Sequence, residues 1–199
     1  MLERSKFSKE EVSMRWVYLL AFLLPVACTP DKLLHLLGTP PIETPPTRSR
    51  SSDDRLEIML PSGWQVTDLP EAVGTLQAKS VRKGAFVSLI SEPKEDLNFK
   101  TIDEYAETIL TIEGKQRTIQ ARTISPAKRL NLNGRSAIQY EVRGILDNIK
   151  IVYLKTFVES ESRWTQVMAW TSPSHWNEVQ DDFRVLNQSF HELPAQTKK

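Results

Sequence analysis

The chain has a single cysteine, Cys28, and it stands directly after an apolar run from Trp16 to Ala27. One cysteine rules out an internal disulfide, so whatever folds here must be held by its core alone. The run is about 12 residues long. At ~1.5 Å per helical residue it reaches about 18 Å, well short of a ~30 Å hydrocarbon layer, so a permanent membrane-spanning helix is not expected. The folded body must therefore lie downstream.

Arg15 precedes the run and the small residues Val26 and Ala27 close it, which is the layout of a secretory signal over residues 1–27. Val26-Ala27-Cys28 resembles the motif read by lipoprotein signal peptidase, with Pro25 where leucine is usual and Leu24 one place further out. The resemblance implies cleavage before Cys28, a thioether-linked diacylglycerol on its thiol and a further acyl chain such as palmitate on its new amino group. At about 0.8 kcal/mol per buried methylene, one chain holds weakly and two or three hold firmly. Cleavage at another site and an uncleaved anchor are the two alternatives, and each still exports the rest of the chain. Residues 1–13 mix lysine with glutamate, so translation from Met14 is a second possible start.

Removing residues 1–27 takes away Arg4, Lys6, Lys9 and Arg15 together with Glu3, Glu10 and Glu11, leaving 22 basic and 22 acidic side chains from the original 26 and 25. A neutral chain argues against a nucleic-acid partner and against adhesion to anionic lipid by net charge. Residues 28–54 are rich in proline, serine and threonine and offer little to bury, so they are expected to form a tether. Within it residues 31–38 hold four leucines, open to two interpretations: a short helical contact or an apolar patch in a linker. No aspartate follows Cys28, which favours an outer over an inner membrane in a two-membrane organism.

Residues 55–193 have the length of one domain, with 194–199 as a polar tail. Leu56 to Leu60 is a strand stopped by Pro61-Ser62-Gly63, and Thr75 to Ser80 with Ala85 to Ser91 form a hairpin, the second strand apolar on both faces. Thr101-Ile102-Asp103-Glu104 is a capping box, and Ile102, Tyr105, Ala106, Ile109 and Ile112 share one stripe of a helix expected to end at Gly114. Asn133-Gly134 marks a two-residue hairpin, followed by strands over 138–143, 149–158 and 164–171. Ser172 and Pro173 are expected to open a second helix with Trp176, Val179 and Phe183 buried, and 185–190 is either its extension or a last strand.

The order is strands, helix, a meander of strands, helix: an α+β domain, with helices on a mostly antiparallel sheet. The Leu60-Pro61-Ser62-Gly63-Trp64 strand end, the Thr101 to Ala106 helix start, the Leu132 to Ala137 turn and the Asn187-Gln188-Ser189-Phe190 closing segment resemble the Mog1/PsbP-like superfamily, DcrB-like envelope lipoproteins included. That resemblance implies an α/β/α sandwich that binds partners and has no shared active site.

No residue pattern contradicts this. His175 and His191 are far apart in sequence, no serine lies in a nucleophile elbow, and no glycine-rich phosphate loop exists. Asp181-Asp182 and His191-Glu192 are expected to be solvated, and no cofactor or metal is expected. Trp64 is the candidate partner-binding residue, because it follows a turn at a sheet end where burial is hardest to complete. The expected function is a non-enzymatic, lipid-anchored module binding an unidentified envelope protein on the periplasmic side. The alternatives are a photosystem-associated extrinsic lipoprotein, a cell-envelope hydrolase with a non-contiguous active site, and a transport-associated subunit.

Overall fold

The computed structural model describes residues 44–68, 74–116 and 119–194. Cys28, the leucine-rich segment 31–38 and residues 195–199 lie outside them. The described strands are β1 (Thr47–Arg50), β2 (Leu56–Leu60), β3 (Gln65–Val66), β4 (Leu76–Ser80), β5 (Ala85–Pro93), β6 (Gln120–Ile124), β7 (Lys128–Leu132), β8 (Arg135–Leu146), β9 (Ile149–Glu159), β10 (Arg163–Thr171) and β11 (His191–Glu192). The helices are α1 (Ile102–Gln116) and α2 (Trp176–Gln188).

Eight strands form one antiparallel sheet in the order β3-β4-β5-β10-β9-β8-β6, with β7 pairing the other half of β8. β5, β10 and β9 are central and apolar on both faces, as the sequence of Ala85 to Ile90 predicts. Helix α1 covers one face, burying Ile102, Tyr105, Ala106 and Ile109 against Ile138, Val142, Phe157 and Trp164. The other face meets α2 through Val179, Phe183 and Leu186, together with Leu56, Ile58 and Leu60 of β2. Three layers result, an α/β/α sandwich.

The leading strand is not part of the main sheet. β2 pairs with β1 and β11 in a separate three-stranded sheet that shares α2's layer. This corrects the tether boundary at residue 54: Thr47 to Arg50 is in register with Leu60 to Glu57, Ser49 is buried, and Arg48 and Arg50 both pair with Glu57. A serine- and arginine-rich run lacks apolar residues but keeps its backbone donors, and an open edge of β2 is enough to order it.

The capping box forms with one difference. The Glu104 amide donates to Thr101 Oγ1 at 3.2 Å, while the Glu104 carboxylate accepts from the Lys100 amide rather than from Thr101. α1 also runs through Gly114 to Gln116, its C-terminal end held by Arg122, whose guanidinium donates to the Leu110 carbonyl. The second helix starts later than Ser172-Pro173 suggests. The Ser172 hydroxyl bonds Ser174, residues 172–175 form a turn, and α2 begins at Trp176.

Asn133 and Gly134 both adopt positive φ, 53° and 84°, as a two-residue turn requires. Asn133 does more than turn the chain: its amide donates to the Gln188 and Phe190 carbonyls, closing the end of α2. Residues 185–188 extend that helix.

Candidate protein-binding surface

Trp64 is corrected first. It is only 2 % exposed and sits in the core shared by α2 and β2, edge-to-face with Phe183 at 6.3 Å. Its indole N–H donates to Asp182 Oδ2 at 2.6 Å, and Lys83 Nζ donates to the same oxygen at 2.8 Å. Burial at this sheet end is completed by α2, which the sequence places far away, so Trp64 has no face left for a partner. Asp182 is accordingly no solvated residue, whereas its neighbour Asp181 points outward to Arg184. Glu192 is likewise enclosed, near Arg135 at 3.2 Å and bonded by the Ser162 hydroxyl. His191 remains exposed beside Asn133, and His175 pairs with Glu178 at the surface.

Among the described residues no group of three or more His, Cys, Asp or Glu side chains could hold a metal ion, and no helix is long and apolar enough to cross a membrane. Two sites of enclosed charge stand out, one buried and one half-buried. Lys155, 4 % exposed in the middle of β9, donates to Glu113 of α1, which is also buried. The second is Glu92 on β5, opposite Trp164 on β10. Burial pushes its carboxyl up to about 7, with Asp96 adding to the rise and Arg163 opposing it, and Oε2 has no hydrogen-bond partner among the described residues.

Glu92 makes stability depend on pH. Its folded pKa lies above the ordinary 4.5, so between pH 4.5 and about 7 the unfolded chain is ionised while the fold holds the proton. Stability therefore falls as pH rises through that window and levels above it. Glu92→Gln should be more stable than the parent at pH 8 by about 1–3 kcal/mol and nearly equal at pH 4.5. Urea melts at the two pH values check this; a gap that stays constant with pH would refute it.

The surface that sequence reasoning missed is made by register. Gln65, Lys79, Phe86, Trp170, Tyr153, Val142 and Ile124 are successive cross-strand partners on β3, β4, β5, β10, β9, β8 and β6. They form a single row across the sheet on the α1 side. Phe86 stacks on Trp170 with centroids 5.4 Å apart, and Trp170 meets Tyr153 at 5.9 Å. α1 contacts Val142 but its core packing does not include Phe86 or Trp170, both of which stay half-buried. Each of these aromatics sits in a separate strand of the sequence, and only pairing reveals that they align. A lysine inside the two-sided apolar strand 149–158 was the visible hint of a buried charge.

No protein-family profile matches the chain, and no curated protein does. Solved structures do. Cyanobacterial PsbP from Synechocystis sp. PCC 6803 is 17 % identical with a TM-score of 0.56, over 78 % of this chain and 96 % of that one. The Ran-binding protein Mog1p of Saccharomyces cerevisiae is 9 % identical at 0.53, over 74 % and 95 %. LpqN of Mycobacterium tuberculosis, involved in cell envelope biogenesis, is 13 % identical at 0.52, over 75 % and 91 %. At these identities the likeness is one of fold, and the chain has the Mog1/PsbP-like fold.

Proposed function

We propose that this chain is a non-enzymatic module of the bacterial envelope, held to a membrane by lipid on Cys28, that binds a protein along the Phe86–Trp170–Tyr153 row. The row is the observation that carries the reading: a contiguous aromatic strip on a rigid sheet, whose Phe86 and Trp170 stay half-buried outside the packing of α1 while Tyr153 packs against it. The fold is one used by a Ran-binding protein and by an envelope protein, which supports binding over catalysis. The apolar run ending at Cys28 supports the anchor, and the missing aspartate after it supports the periplasmic face of an outer membrane.

A photo-crosslinking residue placed at Phe86 in intact cells is expected to give one discrete adduct, whereas the same residue at exposed Val185 on α2 gives none. Trp170→Ala should lower the Phe86 adduct by about fivefold or more, the loss of roughly 1 kcal/mol of contact. Equal labelling from both positions would remove the row as a docking surface. Acyl labelling that is abolished in Cys28→Ser tests the anchor separately. A photosystem accessory role is the second reading, favoured by the likeness to cyanobacterial PsbP; copurification with thylakoid complexes would select it. Turnover of an envelope substrate by the pure protein would instead select the hydrolase.

A further inference from the structure

The chain is neutral after residue 27, yet its charges are not mixed evenly. Thr44 accepts from the Ser62 hydroxyl and the Gly63 amide and donates to the Trp64 carbonyl, so the chain from residue 28 reaches the body beside the start of β3. The next cross-strand row above Gln65 and Lys79 runs through Ser80, Ala85, Thr171, Val152 and Arg143. The entry point, the 81–84 turn and the β8–β9 hairpin therefore lie along the same rim of the main sheet.

The hairpin is the part that projects. β10 ends at Thr171 opposite Val152, while β8 and β9 continue to the pair Leu146 and Ile149. Asp147 and Asn148 close it with φ of 48° and 63°. Ile149 is 43 % exposed and Ile145 and Leu146 are partly so, an apolar end with Lys150 beside it. The last turn of α1 brings Lys115 to the same region: Ile119, just beyond that helix, packs where a Cβ on Gly144 would stand. Lys79 lies further along the rim. None of these three lysines is ion-paired among the described residues, and Asp147 is the acid among them.

The opposite rim is richer in acids. Asp54, Glu95, Asp96 and Glu161 are exposed there around the β4 start, the end of β5 and the β9–β10 turn, with Lys100 the exposed lysine and Arg50 and Lys94 ion-paired to Glu57 and Glu159. A neutral body thus carries exposed Lys115 and Lys150, half-buried Lys79 and bare aliphatic side chains at the end where the tether enters, and more exposed acids at the other.

We infer that the rim formed by the β8–β9 hairpin, Lys79, Lys115 and Lys150 is a second membrane contact, resting on an anionic bilayer surface. Lysines near such a surface are attracted individually, and aliphatic side chains at a hairpin end gain by entering the interface. Net charge zero does not oppose this at the hairpin, because Glu95, Asp96 and Glu161 sit at the far end of the 9-residue strand β10, more than a Debye length away at about 3.3 Å per residue, leaving Asp147 and, on the α2 side, Glu178 as acids near the contact. The tether makes a weak contact sufficient. From Cys28 to Thr44 the chain spans 16 residues, which cannot reach further than about 55 Å even fully extended, so a lipid on Cys28 keeps this rim at high local concentration over the bilayer. The inference rests on the anchored reading for that last step alone.

The single cysteine supplies the test. The full chain is coupled through Cys28 to a maleimide-bearing lipid in vesicles of phosphatidylcholine, with or without phosphatidylglycerol, and amide hydrogen exchange is followed. Exchange across residues 145–150 is expected to slow about fivefold on the anionic vesicles only. Residues 160–162 at the acidic rim should not change, and 0.5 M salt, on the order of a 4 Å screening length, should erase the effect. Lys79→Glu with Lys150→Glu should return exchange to the neutral-vesicle rate. Unchanged exchange at the hairpin while the chain stays vesicle-bound, or protection at the acidic rim instead, would overturn the inference. Because coupling is chemical, hairpin protection with no acylation of Cys28 in cells would remove the natural anchor and leave the rim contact standing.

Discussion

Lys155→Met is expected to destabilise the fold by about 3–5 kcal/mol, lowering the melting temperature by on the order of 10 °C. The Lys155 ammonium and the Glu113 carboxylate lie between β9 and α1, both side chains less than a tenth exposed. Removing the lysine leaves a carboxylate with no counter-ion, and its second oxygen already lacks a hydrogen bond among the described residues. The Glu113 side chain keeps only 7 % of its surface for water to compensate that charge. Replacing both, Lys155→Met with Glu113→Leu, exchanges the pair for apolar volume and should recover most or all of the loss. Calorimetry on the two singles and the double decides the matter: if the double melts as low as Lys155→Met, the cost lies in packing rather than in a stranded charge. The lysine also stands 5.5 Å from the Tyr153 ring, where burial raises the phenol pKa, so neutral tyrosine is what the charge faces.

Trp64→Ala is expected to cost about 3–5 kcal/mol as well, by opening a cavity between β2 and α2. Three contacts disappear together: the ring against Phe183, the filled space beside Leu60, and the N–H bond to Asp182. Trp64→Phe keeps part of the volume and should lie well below half that cost, since Asp182 retains Lys83. Thermal melts of both variants check the ordering. A melting point for Trp64→Ala within about 3 °C of the parent would mean that the site collapses around the gap. Crosslinking from Phe86 in the variant that still folds should be unaffected, which separates this core role from partner contact.

Elements fixed by local chemistry were legible in the sequence. The hairpin at Asn133-Gly134, the two-sided apolar strand at Ala85 and the cap at Thr101 all rest on residues within a few positions of one another. What could not be read depended on distant pairing. β1 is ordered only because β2 lies beside it, Trp64 is buried only because α2 arrives more than a hundred residues later, and the Phe86–Trp170–Tyr153 row exists only through the registers of β5, β10 and β9. The segment at Ser172-Pro173 failed for a smaller reason, two serine hydroxyls bonding each other instead of a helix amide. Glu192 misled because proximity to the chain end suggests solvent, while Arg135 at the start of β8 and Ser162 in the β9–β10 turn come from segments that sequence leaves unconnected.

The pairing of β1 with β2 has a mechanical meaning. Any tension transmitted from upstream first meets Thr44, bonded to Ser62, Gly63 and Trp64, and beyond it a pull along the strand axis stresses the ladder to β2 in shear, its bonds sharing the load instead of parting one by one. Arg48 and Arg50 gripping Glu57 add two ionic clasps along the same line. A short, polar, easily overlooked strand thus spreads any upstream pull over several bonds before it reaches the core.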